Sequence, residues 1–180
     1  MKIAARLGLG LAVTLSLGVA TLDAAQGSAD KGARQHFVCD KGGYTPKKCQ
    51  TDIAVLKKVL ERYPVAQLGE WTWFLVASSD WKKLQRSRGV NPDSPAFTYC
   101  AKKETFLEEA LLTGVPTRVK ELLLVWRMSM ENLLNFAIAH ELGHALCNEK
   151  DEEKANRSAK LLREGVLPNC EVQFQAKRQR

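Results

Sequence analysis

SMENLLNFAIAHELGHALC, residues 129–147, decides how the rest of the chain is read. Ser129 is a good N-cap, because its hydroxyl can accept from an amide two or three residues on. Glu131 sits in the first turn, where the helix dipole favours an acid. From Phe136 to Ala139 every residue is apolar. That turn has no solvent face, so the spacing predicts a buried helix. The helix carries His140-Glu141-Leu142-Gly143-His144. Residues i and i+4 share a face about 6 Å apart along the axis, so both imidazoles can grip one ion. Glu141 is turned by about 100° and can reach a water on that ion without being a ligand itself. As ordinary core residues, two histidines and a glutamate would pay a desolvation cost of several kcal/mol unless a polar network met them. With three histidines in 180 residues, chance produces this pattern in roughly 0.3% of such chains, so a metal site is the better reading.

His-Glu-x-x-His on a helix is the motif of zinc peptidases. One helix supplies only two ligands, so a third must come from elsewhere. Cys147 lies on the same stripe as His140 and His144 but about 10.5 Å from His140 along the axis, too far for one ion. A disulfide or a core position suits it better. Asn148 to Asp151 breaks the helix, and EEKANRSAKLLREG (152–165) predicts another. Its Ala155, Ala159 and Leu162 fall on one side, and Gly165 ends it. Asp151, Glu152 and Glu153, at its start, are the candidates for the third ligand.

HELGHALCNEKDEEKANRSAKLL resembles the active-site segment of the gluzincin metallopeptidases, in which His-Glu-x-x-His is followed by a helix bearing Glu-x-x-Ala-Asp/Asn. Glu152-Glu153-Lys154-Ala155-Asn156 matches that second element. The resemblance implies an α+β, zincin-like fold: a small twisted sheet packed on the active-site helix and the helix after it. It implies Zn2+ held by His140, His144 and Glu152, with Glu153 the alternative ligand and Asn156 orienting an imidazole. It further implies peptide hydrolysis by a zinc-activated water, with Glu141 as general base. The connection between His144 and Glu152 is shorter than in most gluzincins. The metzincin version would need a third histidine near position 150, where Lys150 stands. In related enzymes a Tyr, His or Arg assists the oxyanion; His36, Tyr99 and Arg157 are the candidates here.

Towards the N-terminus, Thr117 can cap a helix running through Trp126. ETFLEEALL (104–112) fits a strand or a helix equally well. AFTYC (96–100) reads as a strand after the turn cluster NPDSP (91–95). By analogy with zincins, AFTYC is the edge along which a peptide is laid. Asp80 opens a short basic helix closed by Gly89. WTWFLVAS (71–78) predicts a buried strand, with Trp71, Trp73 and Phe74 as core rather than a substrate platform. TDIAVLKKVLERY (51–63) predicts a helix capped by Thr51 or Asp52 and stopped by Pro64.

The chain ends complete the picture. Residues 7–22 are free of charge, follow Lys2 and Arg6, and end at small residues. That is the pattern of a secretory signal, short for a membrane anchor, and no second apolar stretch of that length follows. The expected organisation is a signal peptide over 1–24, a lead-in with a Cys39/Cys49 loop over 25–50, and the catalytic domain over 51–180. A secreted or periplasmic chain permits disulfides. Of Cys39, Cys49, Cys100, Cys147 and Cys170, the expected pairs are 39–49 and 147–170. The net charge is +7, but lysines and arginines are scattered without interleaved aromatics, so no nucleic-acid partner is expected. The partner expected is a peptide or protein substrate, with no stable membrane span after cleavage of the signal. The alternative is a non-catalytic metal-binding or disulfide-stabilised envelope interaction protein.

Overall fold

The computed structural model describes residues 34–170, apart from 41, 92, 114 and 115. The expected signal peptide and residues 171–180 lie outside the described residues. The chain runs β1 (Gln35–Cys39), α1 (Pro46–Leu60), β2 (Trp71–Val76), α2 (Ser78–Arg88), β3 (Ala96–Tyr99), β4 (Glu104–Glu108), α3 (Pro116–Trp126), α4 (Met130–Cys147) and α5 (Glu152–Arg163). This is an α+β arrangement, with a mixed four-stranded sheet in the order β1-β2-β4-β3. Strands β1, β2 and β4 are parallel, and β3 is an antiparallel edge.

The alternation of each strand divides the sheet into two faces. Trp71, Trp73 and Leu75 of β2 and Leu107 of β4 join the main core, with leucines of α1, α3, α4 and α5. Each such side chain, buried, contributes about 1.5–3 kcal/mol. On the other face Phe97 and Phe106 stack at 4.8 Å, and Trp81 of α2 covers Phe97. The same alternation turns Ala96 and Thr98 of β3 toward α4, while Phe97 and Tyr99 face α2.

Several boundaries differ from those read in the sequence. Gln35–Cys39 falls within the segment read as a lead-in, yet it pairs along its length with Trp71–Leu75. Its half-buried alternation becomes a strand only beside a partner far along the chain. Helix α1 begins at Pro46 rather than near residue 51. Thr45 accepts from the Lys48 amide, and Pro46 suits a first turn because its missing N–H is not needed there. Asp52, expected as a cap, is mid-helix and fully buried. The ambiguous 104–112 segment is β4 followed by a single tight turn, Glu109–Leu111.

Helix α4 is capped by Ser129, which accepts from the Asn132 amide at 3.4 Å, as its sequence implies. Disulfides join Cys39 to Cys49 and Cys147 to Cys170, leaving Cys100 free. Two disulfides suit an oxidising, extracellular setting. Among the described residues, no helix is long and apolar enough to cross a membrane.

Candidate metal centre

Helices α4 and α5 pack closely because α4 carries a glycine inside its motif. A Cβ at Gly143 would lie 2.7 Å from the Ala155 carbonyl oxygen and 3.1 Å from Ser158 Cβ. Only the bare backbone allows this approach, and it brings the first turn of α5 beside the two histidines. His140, His144 and Glu152 thereby form one cluster of possible metal ligands. His140 Nε2 lies 3.0 Å from His144 Nε2 and 3.0 Å from Glu152 Oε2. His144 Nε2 lies 3.6 Å from the same carboxylate oxygen.

The far nitrogens of both rings decide what these near atoms are. His144 Nδ1 is 2.8 Å from the Glu149 carbonyl, which can only accept, so Nδ1 carries the proton and donates. His140 Nδ1 donates likewise to Asn156 Oδ1 at 2.9 Å. A neutral imidazole protonated at Nδ1 presents a lone pair at Nε2. With both rings neutral, two such lone pairs and a carboxylate oxygen converge on one point. In that state a cation between the three, or a proton shared among them, removes the repulsion of the lone pairs. A tetrahedral ion with bonds of about 2.0–2.1 Å has ligand separations of about 3.3–3.4 Å, in the range of those observed. The donor set and its spacing fit a metal ion.

Glu141 faces β3, not the cluster's ligand atoms. It is buried, and its Oε2 has no hydrogen-bond partner. Burial pushes its carboxyl up to about 8; the Thr98 hydroxyl opposes that shift and the Glu152 charge adds to it. Burial and the neighbouring His144 hold the His140 imidazole below its ordinary value, against Glu152 and Asn156.

Two cavities share His140, Glu141 and Glu152. One, of about 770 Å3, runs beside Ala96–Ala101, with Lys103 and Lys150 at its wall. The other, of about 510 Å3, is walled by Val90, Pro95, Trp126 and Phe136. The cluster therefore opens on a cleft that follows β3. Glu152 is the exposed member, with 74% of its side chain in solvent.

Not every residue singled out in the sequence arrives here. Glu153 points to solvent and pairs with Arg157 at 3.9 Å, outside the cluster. Arg157 borders neither of the two cavities. His36 belongs to β1, at the far edge of the sheet, and meets Glu70 at 3.2 Å. Tyr99 borders the larger cavity, but its ring packs edge-on against Phe97 and Phe106 beneath Arg88, on the opposite face of the sheet. Cys147 is held in its disulfide. Gly143, Thr98 and Glu149 were not singled out in the sequence. A glycine within His-Glu-x-x-His was the one visible signal among them. No family model matches the chain, and no curated protein or solved structure does either.

Proposed function

We propose that this chain is an exported zinc-dependent peptidase of gluzincin type, with a zincin-like fold. The observation that carries the reading is the convergence of His140, His144 and Glu152 beside a buried Glu141 whose Oε2 has no hydrogen-bond partner, on an open cleft. Two imidazoles and one carboxylate are a donor set that suits zinc and leaves a coordination position open. Zinc bound there supplies Lewis acidity and brings the pKa of its water towards about 7.

The chain's own residues do the rest. His140, His144 and Glu152 hold the ion, while Asn156 and the Glu149 carbonyl keep each imidazole in the tautomer that can ligate. Glu141 takes a proton from the attacking water and hands it to the leaving amine. Its free Oε2 is available for that transfer, and Thr98 steadies the carboxylate from β3. The outer edge of β3 receives an extended peptide by strand addition, and the cavity beside Trp126 and Phe136 accepts an apolar side chain next to the scissile bond. The two disulfides accord with export to the periplasm or the exterior.

A non-catalytic metal protein is the competing reading. Structural zinc is normally closed by four protein ligands, and here three converge with the third largely exposed, which favours chemistry. The deciding experiment compares wild type with Glu141→Gln on a proteome-derived peptide library, with zinc content measured for both. The enzyme reading expects cleavage by wild type alone, at equal zinc. Equal cleavage patterns, or none from either protein, would remove it.

A further inference from the structure

We propose that Glu149 is a positioning residue for this centre: it folds the short span between the two ligand-bearing helices into the turn that lets Glu152 meet the imidazoles. Only the metal-binding part of the reading above is required. Helix α4 ends at Cys147, Asn148 takes the left-handed conformation at φ 48°, and α5 starts at Glu152. The chain thus has residues 148–151 in which to reverse and return the third donor to the first two. An untethered turn would leave an exposed carboxylate many positions to sample, at a cost in affinity for ordering it.

Glu149 grips both sides of the reversal. Its amide donates to the His144 carbonyl at 3.0 Å, and its own carbonyl accepts from His144 Nδ1 at 2.8 Å. The backbone of this one residue therefore both follows the helix end and fixes the ring that ends it. Its carboxylate reaches forward. Oε1 accepts from the Lys150 and Asp151 amides, each at 2.9 Å, and Oε2 pairs with Lys154 Nζ at 3.2 Å. Asp151 in turn caps α5 by accepting from the Lys154 amide at 3.1 Å. The side chains of Glu149 and Lys154 are only 11% and 12% exposed. An ion pair with so little water around it is not an ordinary surface pair, and removing one partner leaves the other poorly solvated. Through these contacts the register of α5, and with it the position of Glu152, is tied to His144.

The test uses the full chain, with zinc affinity measured by competition against a chromophoric chelator and the absorption spectrum recorded for the Co2+-loaded protein. Glu149→Ala should weaken zinc binding about 10–100-fold and alter the Co2+ ligand-field bands. Glu149→Gln keeps an acceptor for the two amides and loses only the charge opposite Lys154, so it should fall between Ala and wild type. Glu153→Gln, on the solvent side of α5, should bind as wild type does. If the Ala variant fails to fold, the Gln variant decides: a several-fold loss supports the proposal and none overturns it. A lower Tm with unchanged zinc affinity and an unchanged Co2+ spectrum would reduce Glu149 to turn stabilisation and overturn the proposal. Wild-type protein that binds no zinc would instead sink the metal reading, and this proposal with it.

Discussion

Around α1 and the end of β4, the buried acids Asp52, Glu108 and Glu109 meet cations from the chain itself. Arg118 grips Glu108 through two bonds of 2.8 and 3.0 Å. Lys48 stands 3.1 Å from Glu109 and 3.6 Å from Asp52, and Thr113 donates to Asp52. Around α4 and α5 the arrangement is reversed. His140, His144 and Glu152 turn acceptors toward one another, and Glu141 has an oxygen with no partner at all. The first region holds buried charge, at a desolvation cost that good pairing offsets. The first supplies its own cations and so serves the fold. In the second, two imidazoles and a carboxylate converge, a donor set that an ion brought from outside would suit.

That contrast can be broken most directly at the histidines. His140→Ala and His144→Ala should each reduce zinc from one per chain to background by elemental analysis; retained stoichiometric zinc would end the reading of the second region. Glu141→Gln should lower peptide cleavage about 10²–10⁴-fold while zinc content stays at the wild-type level. In the first region, Arg118→Ala strands the buried Glu108 charge and should cost about 3–5 kcal/mol in denaturant unfolding. The folded fraction should still bind zinc as wild type does. If zinc binding falls as well, the two regions are not separable.

The pH behaviour of the metal-free protein sharpens the same contrast. Glu141 titrates near 8 when folded, against an ordinary value of 4.5. Between those values the unfolded chain has released the proton and the native one keeps it, so stability falls as pH rises from about 4.5 to about 8. Glu141→Gln, which carries no charge, should remove that part of the decline, seen as a Tm gain at pH 8 and little or none at pH 4.5. Gly143→Ala should act more mildly. A methyl against Ala155 and Ser158 forces the helices apart at about 1–3 kcal/mol, and chelator competition should register weaker zinc binding as Glu152 moves away.

Local signals were the legible ones. Ser129 before an apolar run, Gly89 after a basic helix and the aromatic run of β2 each act within a few residues of themselves: α4 starts, α2 ends and β2 begins where they put them, although α2 opens at Ser78 rather than Asp80 and β2 ends at Val76. The cysteine pairs were legible too, because Cys39 and Cys49 bracket a short loop and Cys147 and Cys170 bracket α5. Misplaced boundaries arose where a distant partner decides. Gln35–Cys39 has too weak a pattern to be a strand without β2 beside it. Asp52 resembles a cap until Thr113 and Lys48 enclose it. Tyr99 is a candidate by residue type, but strand parity sends its ring to the other face of the sheet.

Residue types and their spacing along α4 were enough to put two imidazoles and a neighbouring carboxylate on one buried helix, because helical geometry is local and regular. The family resemblance nominates Glu152, but residue types and spacing do not separate it from Asp151 and Glu153, since adjacent residues at a helix start point in directions that only packing sets. The close approach at Gly143 and the packing of the two helices put Glu152, not Glu153, beside the two histidines. A metal centre needs several donors within a few ångströms, and in this chain the contact of two helices brings Glu152 beside His140 and His144.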